Sequence, residues 1–227
     1  MASIAATHAL VLADGSVSPA EDLEEAWPGW SAGVDLVVAA DGGARHAASF
    51  DLRLDLWVGD GDSIGATELA NLAATGVPIR RAPVDKDESD AELAILAAID
   101  AGARRITVVG ALGGERIDHG LANIWLLGDP RLAGRDVRLV DGSVRIRLVG
   151  RGETDLGGRI GDLVSLFPFA GDALGLTTEG LRYPLRDEGL RSGPSRGLSN
   201  VRDAADARLR VGSGRILVVE TPATLSR

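Results

Sequence analysis

The stretch Leu36-Val37-Val38-Ala39-Ala40-Asp41-Gly42-Gly43-Ala44 decides how the first half of this chain is read. Its run of Leu, Val and Ala reads as a buried strand that stops abruptly at an aspartate and two glycines. Paired glycines let a backbone approach closely and lead into a helix N-terminus, which suits phosphate and serves equally as a plain strand-to-helix turn. The same unit recurs on both sides. His8–Leu12, Leu54–Val58, Ile106–Val109 and Val137–Val140 are short apolar runs bounded by Gly, Asp or Arg. Helical segments are expected between them at Ala44–Phe50, Ala66–Ala74, Asp90–Ala101 and His119–Leu127. Strands alternating with helices imply βαβ units and a mostly parallel sheet. Ligands on such sheets bind at the carboxyl ends of the strands.

The pattern changes after Gly142. Ser143–Val149, Asp162–Phe167, Ala173–Thr178, Ala207–Val211 and Ile216–Glu220 are strand-like, glycine turns separate them, and no convincing amphipathic helix follows. The expected fold is therefore an α/β N-terminal domain with a mostly parallel sheet over 1–142 and an all-β, sandwich-like C-terminal domain over 143–227, with the boundary near 141–145. With 227 residues, 45% hydrophobic and 25% charged, the composition is ordinary for a globular protein. A formal net charge of −9 argues against nucleic acid or an anionic membrane surface as partner. The absence of cysteine excludes disulfides and thiolate chemistry. No basic, apolar leader opens the chain and no run approaches membrane-spanning length, so a cytoplasmic location is expected.

Chemistry gathers where the first-domain strands end. Gly59-Asp60-Gly61-Asp62-Ser63 follows one of them. Two carboxylates at about 4 Å repel by about 4 kcal/mol at an effective dielectric near 20. A bound Mg²⁺ turns that cost into a binding site, whereas a solvated Asp/Gly turn avoids it. Such loops occur in several metal-dependent enzyme classes and do not name a reaction. Asp85-Lys86-Asp87-Glu88-Ser89-Asp90-Ala91-Glu92 carries the only lysine of the chain, all the other basic side chains being arginine. Ser89 with Glu92 fits a capping box, which leaves Lys86, Asp87 and Asp90 unexplained. A compact ammonium among carboxylates suits a site handling a divalent metal together with a polyphosphate. The fourth cluster, Gly110 to Asn123, offers a glycine-rich turn followed by Arg116, Asp118 and His119. Backbone N–H groups and a guanidinium there would face an anion. Neither a Walker A sequence nor a G-x-G-x-x-G fingerprint is present.

As a set, these motifs resemble the thiamine pyrophosphokinase family. That family shows A-D-G-G-A, G-D-F-D-S, D-K-D-x-T-D-x-E and G-G-R-x-D-H-x-L-A-N. This chain has A-D-G-G-A at 40–44, G-D-G-D-S at 59–63, D-K-D-E-S-D-A-E at 85–92 and G-G-E-R-I-D-H-G-L-A-N at 113–123. Val164-Ser165-Leu166-Phe167-Pro168, the segment from Gly175 to Leu185, and Gly197-Leu198-Ser199-Asn200 resemble its second domain.

The resemblance implies transfer of a pyrophosphoryl group from ATP to the hydroxyl of thiamine, giving thiamine diphosphate and AMP, with Mg²⁺ as cofactor. It implies that Asp60, Asp62 and Asp90 hold the metal and, with Asp118, form the catalytic set. Asp41, Gly42, Gly43, Lys86, Asp87 and Arg116 would face ATP and its phosphates, and Ser199 and Asn200 thiamine. A homodimer with its site between subunits is implied too. Three departures stand out: Gly61 replaces phenylalanine, Ser89 replaces threonine, and Glu115 lengthens the turn before Arg116. Tyr183, Phe167 and Phe169 are the aromatic candidates for stacking on thiamine, while Trp27, Trp30, Trp57 and Trp125 are expected to pack. Two competing readings are a diphosphokinase for another hydroxymethyl heterocycle, such as a pterin, and a catalytically silent nucleotide-binding module.

Overall fold

The computed structural model describes residues 7–223. The chain divides after Gly142 into two compact units. In the first, β1 (His8–Leu12), α1 (Ala20–Ala26), β2 (Leu36–Ala40), α2 (Ala44–Ser49), β3 (Leu56–Gly59) and α3 (Ala66–Ala74) follow in order. Then come β4 (Ile79–Arg81), α4 (Asp90–Asp100), β5 (Arg105–Val109), α5 (Ile117–Leu126) and β6 (Asp136–Asp141). The strands lie in the order β6-β5-β1-β2-β3-β4, and every pairing is parallel.

Side chains on a strand alternate between faces, so a sheet covered on both sides needs apolar residues at every position. The wholly buried β1 is such a strand. On one face Leu10, Leu12, Val37, Ala39 and Trp57 form a core with Leu23 and Ala26 of α1, Ala44 and Ala47 of α2, and Leu69 of α3. Helix α4 lies against β1, β2 and β3 and buries Ala94, Ile95, Ala97 and Ala98 outside that cluster. Its small residues bring the helix close to the sheet, and its N-terminus comes to the strand-end edge.

The second unit comprises β7 (Val144–Val149), β8 (Gly152–Asp155), β9 (Leu163–Pro168), β10 (Ala173–Glu179), β11 (Arg186–Leu190), β12 (Asn200–Val201), β13 (Arg208–Val211) and β14 (Ile216–Thr221). Two antiparallel layers form, β12-β9-β14-β7 and β11-β10-β13-β8. They share one core, with Val164, Leu166, Ile216 and Val218 from one layer and Leu176, Leu190, Leu209 and Val211 from the other. That arrangement is a β-sandwich, and among the described residues this unit has no helix.

The expected fold classes hold, and the differences have a common cause. Strands β4, β8, β11 and β12 were not expected, and each lies at a sheet edge. Edge strands are short and charged, as Arg80-Arg81 and Arg186-Asp187-Glu188 are here, so they show no apolar run. Helix α1 escapes notice because its seven residues bury only Leu23 and Ala26. Trp125 departs from its expected packing role: it is 65% exposed on α5, while Trp57 is fully buried and Trp27 nearly so. The expected capping box is half formed. Ser89 Oγ accepts from Glu92 N at 3.1 Å, but the Glu92 carboxylate takes the guanidinium of Arg131 instead.

Candidate functional site at the strand ends

Parallel pairing of β2 with β3 sets their carboxyl ends side by side, and the residues that follow each strand become neighbours. Asp41 follows β2 in a single 3₁₀ turn, Asp41–Gly43, with φ 43° and only 1% exposure. Its carbonyl accepts from buried Trp57 Nε1 at 3.0 Å, and its Oδ2 accepts from Gly61 N at 2.7 Å. A Cβ at Gly59 would meet Asp41 Oδ2 at 2.9 Å, so the glycine ending β3 is what lets this carboxylate seat. Asp60 Oδ1 accepts from Asp62 N at 3.0 Å, closing the loop after β3. Asp90 opens α4.

Four carboxylates thus converge. Asp41, Asp60, Asp62 and Asp90 each offer an oxygen within 4.8 Å of the others. Lys86 faces two of them, with Nζ 2.5 Å from Asp60 Oδ2 and 3.1 Å from Asp90 Oδ1. At about 5 Å each like-charge pair costs about 3 kcal/mol at an effective dielectric near 20, so one ammonium leaves the group strongly repulsive. The titration shifts follow from this. Burial, then the neighbouring carboxylates, push the Asp41 carboxyl up. Burial also pushes Asp90 up, the charges of Asp60 and Asp62 adding to it and Lys86 opposing it. The hydrogen bond from Lys86 holds Asp60 below the usual range. Burial works to lower the Lys86 pKa, but its hydrogen bonds to the two carboxylates win and it is raised.

A cleft of about 530 Å³ opens beside this group, and its lining includes Asp14, Asp41, Ser63, Asp90, Arg116 and Asp118. Arg116 caps the start of α5 and turns back on Asp118, with Nε 3.0 Å from Oδ1. That fork holds the exposed Asp118 carboxyl down at about 2.

Some expected site residues sit elsewhere. Gly42 and Gly43 are buried against the protein itself rather than lining the cleft: a Cβ would meet Asp14 Oδ1 at 2.2 Å and the Leu12 carbonyl at 2.1 Å, respectively. Their close approach is to β1 and the residues after it. Asp87 is exposed and outside the carboxylate group. Gly61 has φ +87°, a conformation that L side chains rarely adopt, so the path of this loop favours glycine between the two aspartates. In the second unit Ser199 is exposed, at φ 56°. Asn200 is buried, and its amide is occupied: Oδ1 accepts from Tyr183 N and Val201 N, and Nδ2 donates to Tyr183 O. Asp14 and Gly15 are cleft residues that sequence reasoning missed, although an Asp-Gly pair directly after the first strand region was the available signal.

An α/β unit with an acidic strand-end cluster, carried on one chain with a β-sandwich, defines a class: two-unit proteins whose site suits a hard divalent cation. Residues 30–139 match the family model for the thiamin pyrophosphokinase catalytic domain, and residues 153–216 match that for the thiamin pyrophosphokinase vitamin B1 binding domain. The chain belongs to the thiamine pyrophosphokinase family. It is similar to the thiamine pyrophosphokinase of Bacillus subtilis, 31% identical over 143 residues that span 63% of this chain and 66% of that one. A crystal structure of the Bacillus subtilis enzyme superposes with a TM-score of 0.81 at 25% identity, covering 95% of this chain and 99% of that one. A family protein from Enterococcus faecalis gives 0.78 at 29% identity, covering 95% and 98%. Thiamine diphosphokinase, a transferase activity, is what these matches indicate. No helix among the described residues is long and apolar enough to cross a membrane.

Proposed function

We propose that the chain transfers the pyrophosphoryl group of ATP to the hydroxyl of thiamine, giving thiamine diphosphate and AMP, in a Mg²⁺-dependent reaction. One observation carries this reading beyond family membership. Asp41 Oδ1 is buried at the strand ends without a hydrogen-bond partner, and Asp90 Oδ1, also buried, meets only the Lys86 ammonium at 3.1 Å. Buried carboxylate oxygens without a donor are costly in a finished structure and suited to a metal. Asp60, Asp62 and Asp90 would hold Mg²⁺, with Asp41 as the fourth carboxylate. When bound, the ion neutralises phosphate charge and aligns the polyphosphate for in-line attack.

The protein's own groups supply the rest. Arg116 presents a guanidinium fork to the phosphates from the cleft wall, and Lys86 a point charge. Asp118, also on the cleft wall, accepts a hydrogen bond from the thiamine hydroxyl and orients it. The β unit contributes the thiamine side. Asn200 acts there by fixing the backbone of Tyr183, a residue 65% exposed, and Ser199 directly precedes Asn200.

The functional unit in this reading is a cytoplasmic homodimer that joins the α/β unit of one copy to the β unit of the other. Helix α5 supports it: it buries no residue and exposes Ile117 and Leu121 one turn apart. Leu121→Asp is expected to shift the sedimenting species from dimer to monomer. The activity is tested by product analysis: AMP should form from ATP only when both thiamine and Mg²⁺ are present. Release of ADP or inorganic phosphate instead would overturn the assignment.

A further inference from the structure

Lys86 is the only lysine in the chain, and it stands where a metal would stand. Its side chain is 11% exposed, and its ammonium bridges Asp60, from the loop after β3, and Asp90, from the start of α4. These two elements are tied together at this edge by no other ion pair among the described residues. We propose that Lys86 is a tethered counter-cation: in the metal-free protein its ammonium closes the carboxylate cluster, and a divalent cation must displace it to bind. The inference rests on the proposed metal site and adds a competitor built into the chain.

Mutual exclusion follows from distance and charge. Mg²⁺ takes carboxylate oxygens at about 2.1 Å. Nζ already lies 2.5 Å from Asp60 Oδ2 and 3.1 Å from Asp90 Oδ1. A dication on the same oxygens would sit within a few ångströms of the ammonium, and the two would repel strongly in this half-buried place. Displacement is open to the lysine because its tether is loose. The segment carrying it has Val84 75% exposed, and among the described residues the Lys86 amide is held only by the local carbonyl of Val84 at 3.1 Å. Asp41 and Asp62 make no pair with Lys86, so half of the cluster stays available to begin metal capture. A freed ammonium at this edge is positioned to meet an arriving polyphosphate, which would couple metal binding to nucleotide binding. Without such a counter-ion the empty site would hold four like charges within 4.8 Å. With it, the protein survives the metal-free state and gives up part of its metal affinity.

Because the lysine is unique, ¹³C,¹⁵N-lysine labelling yields one side-chain spin system, which reports directly on Nζ. Adding Mg²⁺ alone to the full-length protein should move that resonance saturably. Asp62→Asn, which removes a metal oxygen without touching either Lys86 contact, should leave it unmoved. Calorimetric titration with Mn²⁺ alone should show Lys86→Met binding at least about tenfold tighter than wild type, since one repelling charge is removed. Arg81→Met is the control for charge alone. Its guanidinium lies 3.4 Å from the Asp60 carbonyl and forms no ion pair among the described residues, so its loss should change affinity by less than about threefold. A static lysine resonance during saturable, Asp62-dependent metal binding overturns the counter-ion and leaves the metal site standing. So does unchanged affinity in Lys86→Met, or equal tightening in Arg81→Met. Absence of metal binding in every variant overturns the metal site, and the inference with it.

Discussion

In the α/β unit four carboxylates and one ammonium share the strand ends; in the β unit Arg202, Arg145, Glu220 and Asp162 share an interior. Both places bury charge, and both leave polar atoms unpartnered, Asp41 Oδ1 in one, Arg202 Nε and Nη1 in the other. Burial and unsatisfied atoms therefore do not separate a site from a strut. Balance does. In the β unit two guanidiniums answer two carboxylates. Glu220 accepts from Arg145 Nε at 2.8 Å and from Arg202 Nη2 at 3.3 Å, and the Gly157 carbonyl takes a further bond from each arginine. Asp162 takes the backbone N–H groups of Arg159 and Ala223. In the α/β unit the carboxylates outnumber the single ammonium and open on a cleft, an imbalance that suits the divalent cation proposed above.

Four changes would break or sharpen that contrast. Asp62→Asn should lower kcat by about a thousandfold or more while the thermal midpoint stays within a few degrees, because an exposed member of a repelling group is removed. Retained turnover would place the metal elsewhere. Glu220→Ala should do the reverse: it strands the buried Arg202 guanidinium and the half-buried one of Arg145, and should cost about 3–5 kcal/mol in denaturant unfolding, with kcat of the folded fraction unchanged. Asp41→Asn should lower activity about tenfold to a hundredfold yet raise metal-free stability by about 1 kcal/mol, since it relieves both burial and repulsion of a carboxylate. A loss of stability would mean that its hydrogen bond to Gly61 outweighs its charge.

The smallest effect concerns His8, at the start of β1 and so at the opposite end of that strand from the carboxylates. Its ring is buried between the Ala32 carbonyl and Thr107 Oγ1, and burial pushes its pKa below 6.5. The unfolded chain therefore binds this proton more readily than the folded one. The stability that neutral His8 contributes is complete above pH 6.5 and is lost as pH falls from there toward the folded pKa. The difference in melting temperature between wild type and His8→Gln should shrink from pH 7.5 to 5.5. A constant difference would show that the ring charges without leaving its place.

Much of this was legible in the chain because parallel strands must be apolar on both faces. Leu36–Ala40 and its counterparts stand out from any polar surroundings, and the acids that follow them mark strand ends. The edge strands were not legible, since β8 and β11 are as polar as loops. Nor was the fate of individual polar groups. Glu92 matches a capping box but has Arg131 within reach, from a segment 39 residues on. Asn200 belongs to a motif resembling a ligand contact, yet its amide is consumed by the backbone of Tyr183 and Val201.

By itself the sequence determined the two fold classes, the motifs and their family. Local periodicity and residue type carry that information, and neither needs a partner far along the chain. Only the tertiary structure decided how Asp41 is buried and held by Gly61 N beside Asp60, Asp62 and Asp90, that Gly42 and Gly43 serve β1, and that Lys86 lies on two carboxylates. Those outcomes depend on which strand ends the parallel register sets side by side and on where α4 docks its first turn. They are set by packing between segments tens of residues apart, and no window of sequence contains that distance.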